Sequence, residues 1–256
     1  MDLNIRHKTA LITGASRGLG RAIALALAEE GVHVAFVARS AQDMDSLREE
    51  LQPLGVRHIG LVQDLASEDS IPRLIHSLSS AGWPVFDILI HNVGGTLDIT
   101  DPFCKIADWK KVFRLNFDVS IELNHHYLPL MKERKWGRVI HVSSISSMES
   151  HGPIPYCAAK AALNAYTRSM GRMVAKDGVI VVAILPGAVW TKNGYWDTVN
   201  SGHLEKYLEQ RMAIGRLGQP DEIAKAVAFF CSEHASFCVG SIIPIDGGQG
   251  RSYFGE

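Results

Sequence analysis

Tyr156 and Lys160 lie four positions apart in Tyr156-Cys157-Ala158-Ala159-Lys160, the spacing that brings two side chains onto one face of a helix. A phenol titrates near ~10 and is a poor acid or base at neutral pH. An ammonium beside it favours the phenolate and moves the group toward the working range, so the pair has the composition of a proton-transfer device. Solvated helix faces carry the same pair by chance, and its meaning depends on what else the chain contains. About 140 residues earlier stands a glycine-rich turn, Thr13-Gly14-Ala15-Ser16-Arg17-Gly18-Leu19-Gly20.

That turn follows the apolar run Lys8 to Thr13 and precedes the alanine-rich segment Arg21 to Glu30, which Gly31 ends; a second apolar run spans Val32 to Ala38. Strand, glycine turn, helix and strand make a βαβ unit. Such a turn aims a helix N-terminus at a phosphate, whose charge the backbone N–H groups and the helix dipole hold while glycines admit close approach. The spacing is G-x-x-x-G-x-G rather than G-x-G-x-x-G. A tight turn in any α/β protein could carry the same glycines; placement directly after the first strand favours a dinucleotide.

Together these segments resemble the short-chain dehydrogenase/reductase family in its single-domain form, along nearly the whole chain. Gly14, Gly18 and Gly20 match the family's cofactor turn, which also contains Ser16, Arg17 and Leu19, and Asp64-Leu65 matches the acidic position that meets the adenine ring. His91-Asn92-Val93-Gly94 is a half match to Asn-Asn-Ala-Gly, contributing Asn92 and Gly94. Asn116, Ser144, Tyr156 and Lys160 match the catalytic residues, and Pro186-Gly187, Val189 and Thr191 the segment beside the nicotinamide. Gly215 to Ala224 and Ile245-Asp246-Gly247-Gly248 are similar to segments of the family's 3-oxoacyl-[acyl-carrier-protein] reductases.

The chain of 256 residues, 46% hydrophobic, is long enough for a full core, and one dinucleotide-binding oxidoreductase domain over 1–256 accounts for it. A net charge of -1 with scattered lysines and arginines gives no field for nucleic acid. The N-terminal residues lack a signal-peptide core, and the longest apolar run, Val179 to Leu185, is far short of a membrane span, so a cytoplasmic protein is expected. Cys104, Cys157, Cys231 and Cys238 show no metal-binding spacing and are expected as reduced interior thiols; no metal is expected.

Strand and helix patterns alternate to the end: helices at about Ala41–Leu54, Ser70–Ser80, Trp109–Glu133, Tyr156–Ala175 and Pro220–Cys231, with strands ending near Asp64 and covering Phe86–His91, Arg138–Val142, Val179–Leu185 and Ser241–Ile245. Continuously apolar strands separated by helices predict an α/β fold, a Rossmann-like doubly wound parallel sheet in a three-layer αβα sandwich. Ligands bind beyond the C-terminal strand ends of such a sheet, where Gly14, Arg39, Asp64, Asn92, Ser144 and Pro186 fall. One cleft is therefore predicted.

Charge then selects the cofactor. An acid at the end of the second strand would bind the ribose hydroxyls of NAD, whereas a cation attracts a 2′-phosphate; Ala38 stands at the acid's position and Arg39 follows, with Arg17 close by. NADP(H) is favoured, because a guanidinium fork suits a phosphate.

The resemblance implies hydride transfer between the nicotinamide and a ketone or secondary alcohol. Tyr156 exchanges the proton, Ser144 holds the reacting oxygen, Lys160 lowers the phenol pKa and binds the ribose, and Asn116 supports a water chain. The family places the serine thirteen positions before the tyrosine; Ser143 meets that count and Ser144 gives twelve, while counting from the strand favours Ser144. The segment 188–215 is expected to be a lid whose Trp190, Tyr195, Trp196 and Tyr207 either line an apolar pocket or pack within the lid; Met148, His151, Pro153 and Ile154 are expected opposite. The substrate is a 3-oxoacyl thioester or another ketone, of a sugar or a secondary metabolite. A non-catalytic NADP-binding protein is the competing class, against which the four retained catalytic types argue. Ala158, Ala159, Ala161, Ala162, Leu163 and Ala165 give the catalytic helix a small-residue surface, and with the resemblance this implies a homotetramer or homodimer.

Overall fold

The computed structural model describes residues 1–149 and 152–250. Seven strands, β1 (Thr9–Thr13), β2 (His33–Ala38), β3 (His58–Val62), β4 (Ile88–His91), β5 (Gly137–Val142), β6 (Val179–Pro186) and β7 (Ile242–Ile245), pair in parallel in the order β3-β2-β1-β4-β5-β6-β7. The order reverses between β1 and β4, which opens a crevice beyond their C-terminal ends. This is the doubly wound α/β sheet that the sequence predicts.

Alternation along each strand explains the two flanking layers. Ala10, Ile12, Val34, Phe36, Ile88, Ile90, Ile140, Val182 and Ile184 face one side, where they meet α1 (Gly18–Glu29), α2 (Ala41–Leu51) and α9 (Pro220–Phe230) through Ile23, Leu27, Leu47 and Val227. Leu11, Ala35, Val37, Leu89, Val139 and Val181 face the other, against α3 (Ser70–Ser80), α5 (Val119–Glu133) and α6 (Ile154–Val174) through Leu74, Leu78, Leu123, Tyr127 and Val174. β4, β5 and β6 are buried along their whole length, as strands covered on both faces must be.

Several boundaries differ from the sequence expectation for physical reasons. The helix expected to reach Leu54 leaves α geometry after Leu51, because Pro53 offers no N–H to the ladder, and a 3₁₀ turn at Gln52–Leu54 ends in Gly55 with φ 69°. The long helix expected over Trp109–Glu133 is broken into α4 (Ile106–Phe113), a π turn at Arg114–Asp118 and α5. Asn116 lies in the π turn and its amide nitrogen donates to Val112 O at 2.8 Å, taking an acceptor that the helix ladder would otherwise use. The segment 188–215 contains two helices that the sequence reading did not assign, α7 (Tyr195–Thr198) and α8 (Ser201–Arg211), the second capped by Asn200 Oδ1 accepting from His203 N at 2.9 Å. Of the four cysteines only Cys231 is buried; Cys104, Cys157 and Cys238 are partly exposed, contrary to the expectation of interior thiols.

His91 and His141, near the ends of the adjacent strands β4 and β5, are both buried and lie with ring centroids 5.0 Å apart. His91 Nε2 is 2.8 Å from Asn124 Oδ1, Asn124 Nδ2 is 3.0 Å from His141 Nε2, and His141 Nδ1 is 2.8 Å from Thr167 Oγ1. Thr167 in turn donates to Leu163 O at 2.8 Å. These links require a neutral His141, whose Nε2 accepts from Asn124 while its Nδ1 donates to Thr167. Burial favours the neutral state of both rings, pushing His91 down to about 4 and His141 well below the ordinary histidine value.

A lowered folded-state pKa means that the unfolded chain binds protons the folded chain refuses, so stability falls as pH drops below 6.5 and continues to fall to about 4 for His91. His91→Asn, which cannot titrate, is expected to make that acid loss shallower by about 3 kcal/mol at the acid end. Urea denaturation across this range measures it; equal slopes for both proteins would show that His91 does not carry the effect.

Candidate active site

β1 and β4 deliver their ends to the same point, and two side chains fix it. Thr13 Oγ1 donates to Ile90 O and accepts from the backbone N–H groups of Asn92 (3.0 Å) and Val93 (3.1 Å). The Asn92 amide donates to Thr13 O at 3.0 Å and Gly14 O at 2.9 Å. The glycine turn is thereby stapled to β4. Within it Gly14 and Gly18 have φ 69° and 58°, and a Cβ on Gly20 would stand 2.4 Å from both Gly14 O and the Asn92 amide. The turn has no room for side chains at the places where α1 approaches β4.

α1 begins without a side-chain cap and with no acidic residue in its first turn, so its first N–H groups remain available to an anion. They face a cleft of about 800 Å³ lined by Gly14, Ser16, Arg17, Gly18, Leu19, Arg39, Asp64, Leu65, Asn92, Gly94 and Thr191. Val37, Ala38, Ser40, Asp43, Gln63, Val93, Leu115, Lys192 and Gly194 complete the lining. Val37, Ala38 and Val93 belong to segments read in the sequence; the others carry no recognisable sequence signal, except that Ser40 caps α2 by accepting from Asp43 N. The cleft's size, its glycine floor and its two arginines fit a dinucleotide with a phosphate at the end of β2. Gly20 and Asn116 do not line it, since both lie beneath the surface.

A second cavity of about 280 Å³ shares Leu19, Asn92, Gly94 and Thr191 with the first and is lined further by Ser143, Ser144, Tyr156, Lys160, Pro186, Gly187 and Val189. Ser144 bonds the Tyr156 hydroxyl, whereas Ser143 turns inward and donates to Lys160 O at 3.3 Å. Of the two serines weighed on spacing, Ser144 is the one that meets the phenol. Tyr156 is half-buried, and burial raises its pKa; the Ser144 hydrogen bond opposes that rise. The resemblance gives the lowering influence to Lys160, whose ammonium lies 5.7 Å from the Tyr156 ring centre and donates to Val142 O at 2.8 Å. Burial pushes Lys160 itself down to about 8.

Asn116 stands behind this pair. Its Oδ1 accepts from Gly95 N at 2.9 Å and its Nδ2 donates to Gly95 O at 2.8 Å, in addition to Val112. A Cβ on Gly94 would come 2.5 Å from Asn116 Oδ1 and 3.0 Å from Lys160 Nζ, so Gly94 is what lets asparagine and lysine share one backbone crossing. The π turn thus places the Asn116 side chain against the Gly94-Gly95 backbone, behind the residues that line the pocket.

The lid packs mostly on itself. Trp196 lies 4.2 Å from Tyr207 between ring centres, and Ala188, Met212 and Leu217 form a small core with Trp196, Leu204, Tyr207 and Leu208. Trp196 alone of the four lid aromatics reaches the catalytic cavity. Met148, Pro153 and Ile154 do not line it, and His151 lies outside the described residues. Arg211 donates to Glu149 across a largely buried 2.6 Å ion pair, tying the end of α8 to the loop that follows Ser144. Among the described residues no cluster of His, Cys, Asp or Glu could hold a metal ion, and no helix is long and apolar enough to cross a membrane.

Comparison with known proteins agrees with this geometry. Residues 14–249 match the family model described as enoyl-(acyl carrier protein) reductase. The 3-oxoacyl-[acyl-carrier-protein] reductase FabG of Pseudomonas aeruginosa is 35% identical over 249 residues, covering 96% of this chain and 99% of its own. L-sorbose reductase from Gluconobacter frateurii, solved with NADPH and L-sorbose, superposes with a TM-score of 0.90 at 29% identity, over 98% of this chain and 100% of that one. A 3-oxoacyl (acyl-carrier-protein) reductase from Agrobacterium tumefaciens with NADP bound gives 0.89 at 29% identity, over 96% of each chain. A family match from the glycine turn to the last strand, with more than 30% identity along nearly all of a relative, places this protein in the short-chain dehydrogenase/reductase family.

Proposed function

We propose that the protein is an NADP(H)-dependent oxidoreductase that interconverts a ketone and a secondary alcohol, and that one domain over 1–256 performs both binding and chemistry. The observation that carries this is the continuity of the two cavities: a cleft with Arg17 and Arg39 opens through Leu19, Asn92, Gly94 and Thr191 into the pocket holding Ser144, Tyr156 and Lys160. Bound in the larger cavity, NADPH supplies the hydride. Ser144 and Tyr156 hold the substrate oxygen from one side, and Tyr156 gives it a proton as charge develops. Lys160, buried but still cationic at neutral pH, favours that charge and holds the cofactor's ribose. Asn116 keeps the backbone at Gly95 in place and supports the path by which the proton is replaced.

The substrate we favour is a 3-oxoacyl thioester, on the similarity to FabG along nearly the whole chain. A sugar ketone is the second reading, which the 0.90 superposition on a sorbose reductase supports. Among the described residues the catalytic cavity offers no cation besides Lys160, which suits a neutral carbonyl in either case. NADPH oxidation with acetoacetyl thioesters and a panel of keto sugars separates the two, and oxidation with neither would favour a non-catalytic NADP-binding role. Dependence on NADPH, a coenzyme of the cell interior, supports a cytoplasmic location.

Tyr156→Phe removes the transferable proton with little change in packing. Turnover is expected to fall by a factor of about a hundred or more while NADPH binding survives; near-native turnover would mean that another group is the acid.

Arg39→Ala is expected to weaken NADPH binding much more than NADH binding, since only the former loses a charge-assisted phosphate contact of roughly 1.5–3 kcal/mol. Titration by cofactor fluorescence reads both, and equal losses would remove Arg39 from the phosphate site.

We further infer a homotetramer or homodimer. An apolar groove of about 520 Å³ runs between α5 and α6, with Ile121, Leu128, Pro129, Met170 and Met173 along it, and Met173 is 68% exposed. Exposed Ala161 and Ala165 lie on the same helix as Met173 and would admit a second backbone closely. A two-fold contact here would cover the groove with its own copy. Light scattering at micromolar concentration should give a multiple of 28.1 kDa; a monomer at every dilution, with and without cofactor, overturns it.

A further inference from the structure

The lid begins with a turn whose shape is fixed more firmly than its exposure would require. Gly194 N donates to Thr191 O at 2.8 Å, closing Thr191-Lys192-Asn193-Gly194, and Asn193 adopts φ 57°. The Asp197 carboxylate then accepts from Asn193 N at 2.7 Å and from Trp190 Nε1 at 3.2 Å, bracing the turn from both sides. A Cβ on Gly194 would lie 2.2 Å from Thr191 Oγ1, so the closure tolerates no side chain. Just before the turn, Trp190 N donates to Gly218 O and Gly218 N to Ala188 O, each at 2.9 Å, which anchors the strand leading into it. The result is a hook held at both ends.

What the hook carries is a cation. Lys192 is exposed and lines the same cleft as the glycine turn, with no carboxylate within ion-pair distance among the described residues. Its neighbour Thr191 fixes where along the cleft it lies: a Cβ on Gly18 would be 3.3 Å from Thr191 Cγ2. The hook therefore overhangs the uncapped N-terminus of α1, on the catalytic side of the cleft. Arg39, Ser40 and Asp64 belong to the ends of β2 and β3, on the far side of β1 in the sheet. Two groups that attract anions, the free N–H donors of α1 and the Lys192 ammonium, converge on one place from opposite walls.

On the reading that the cleft takes NADP(H), we propose that Lys192 is a lid-borne clamp on the cofactor's pyrophosphate, distinct from the arginines that select the 2′-phosphate. Because the pyrophosphate is common to both nicotinamide cofactors, the clamp contributes affinity without discrimination. It also couples cofactor binding to lid position, since the turn that carries Lys192 leads directly into α7 and the Trp196 that reaches the catalytic cavity.

The test uses the full chain with Lys192→Gln, Lys192→Arg and Arg39→Ala, each checked for an unchanged thermal midpoint. Dissociation constants for NADPH and NADH are measured by the rise in dihydronicotinamide fluorescence. Lid position is read separately by chymotryptic cleavage after Trp190, Tyr195 and Trp196 at saturating cofactor. Lys192→Gln is expected to weaken NADPH and NADH by the same factor, about tenfold for one partly exposed charge-assisted contact, and to lose most of the cofactor's protection against cleavage. Lys192→Arg should restore affinity to within about threefold of wild type, since it keeps the charge. Wild-type affinity in Lys192→Gln overturns the clamp, and a loss confined to NADPH overturns the pyrophosphate assignment by moving Lys192 to the 2′-phosphate. Failure of the wild-type chain to bind either cofactor overturns the proposed function itself, and the clamp with it.

Discussion

The hydrogen bonds that Thr13 and Asn92 exchange across the ends of β1 and β4 are the constraint from which the rest of the site follows. The strand order reverses between those two strands, so nothing in the sheet ladder beyond their ends holds the crevice to a defined width. Thr13 Oγ1 and the Asn92 amide do so with contacts of 2.9–3.3 Å that engage Ile90, Val93 and Gly14 as well. With the turn fixed to β4, the helix α1 that leaves it and the Gly94-Gly95 segment that leaves β4 share one rim. The dinucleotide-sized cleft and the catalytic cavity share lining residues for that reason. All of these donors and acceptors are paired, which a partly buried junction of loops requires if it is not to cost several kcal/mol.

Behind the rim lies a second requirement, that a lysine be buried without losing its proton at neutral pH. The backbone supplies most of the compensation: Val142 O accepts from the ammonium. The imidazoles nearby stay neutral and add no competing charge. Were His141 charged, it would repel Lys160 across the interior and lower a value already at about 8. The Asn124 bridge between the two histidines thus protects the electrostatics of the pocket as well as the packing of β4 and β5 against α5 and α6.

How much of this could be read from the sequence depends on whether the determining contacts are local. The glycine turn, the strands and the pairing of Tyr156 with Lys160 follow from spacing and periodicity within short windows, and the structure forms each of them within a few residues of the expected bounds. The π turn at Asn116 was not legible, because it depends on an amide donating to Gly95 O in a loop twenty residues away as well as to Val112. The backbone partner of Lys160 is non-local in the same way: an i,i+4 pair shares a face, but the acceptor of the ammonium, Val142 O, lies on another element. The helices α7 and α8 were missed because the lid's weakly amphipathic sequence is ordered by its own small core and by Glu149, far away in the chain. His91 stood out as unusual in the sequence, but its partner Asn124 could be found only in three dimensions.

The lid is attached to the protein in two places that differ in what it costs to release them. Its far end is held by the Arg211–Glu149 ion pair and its near end by the Asp197-braced hook, while few large apolar side chains connect the middle to the body of the protein. Breaking a largely buried ion pair leaves a charge without its partner, so that end is costly to release. The hook end has no such penalty, because Lys192 is solvated when the cleft is open. The ion pair ties α8 to the loop that carries Ser144. One continuous segment thus joins the hook at one end of the site to the loop behind the serine at the other, so a contact made at either end bears on the same stretch of chain.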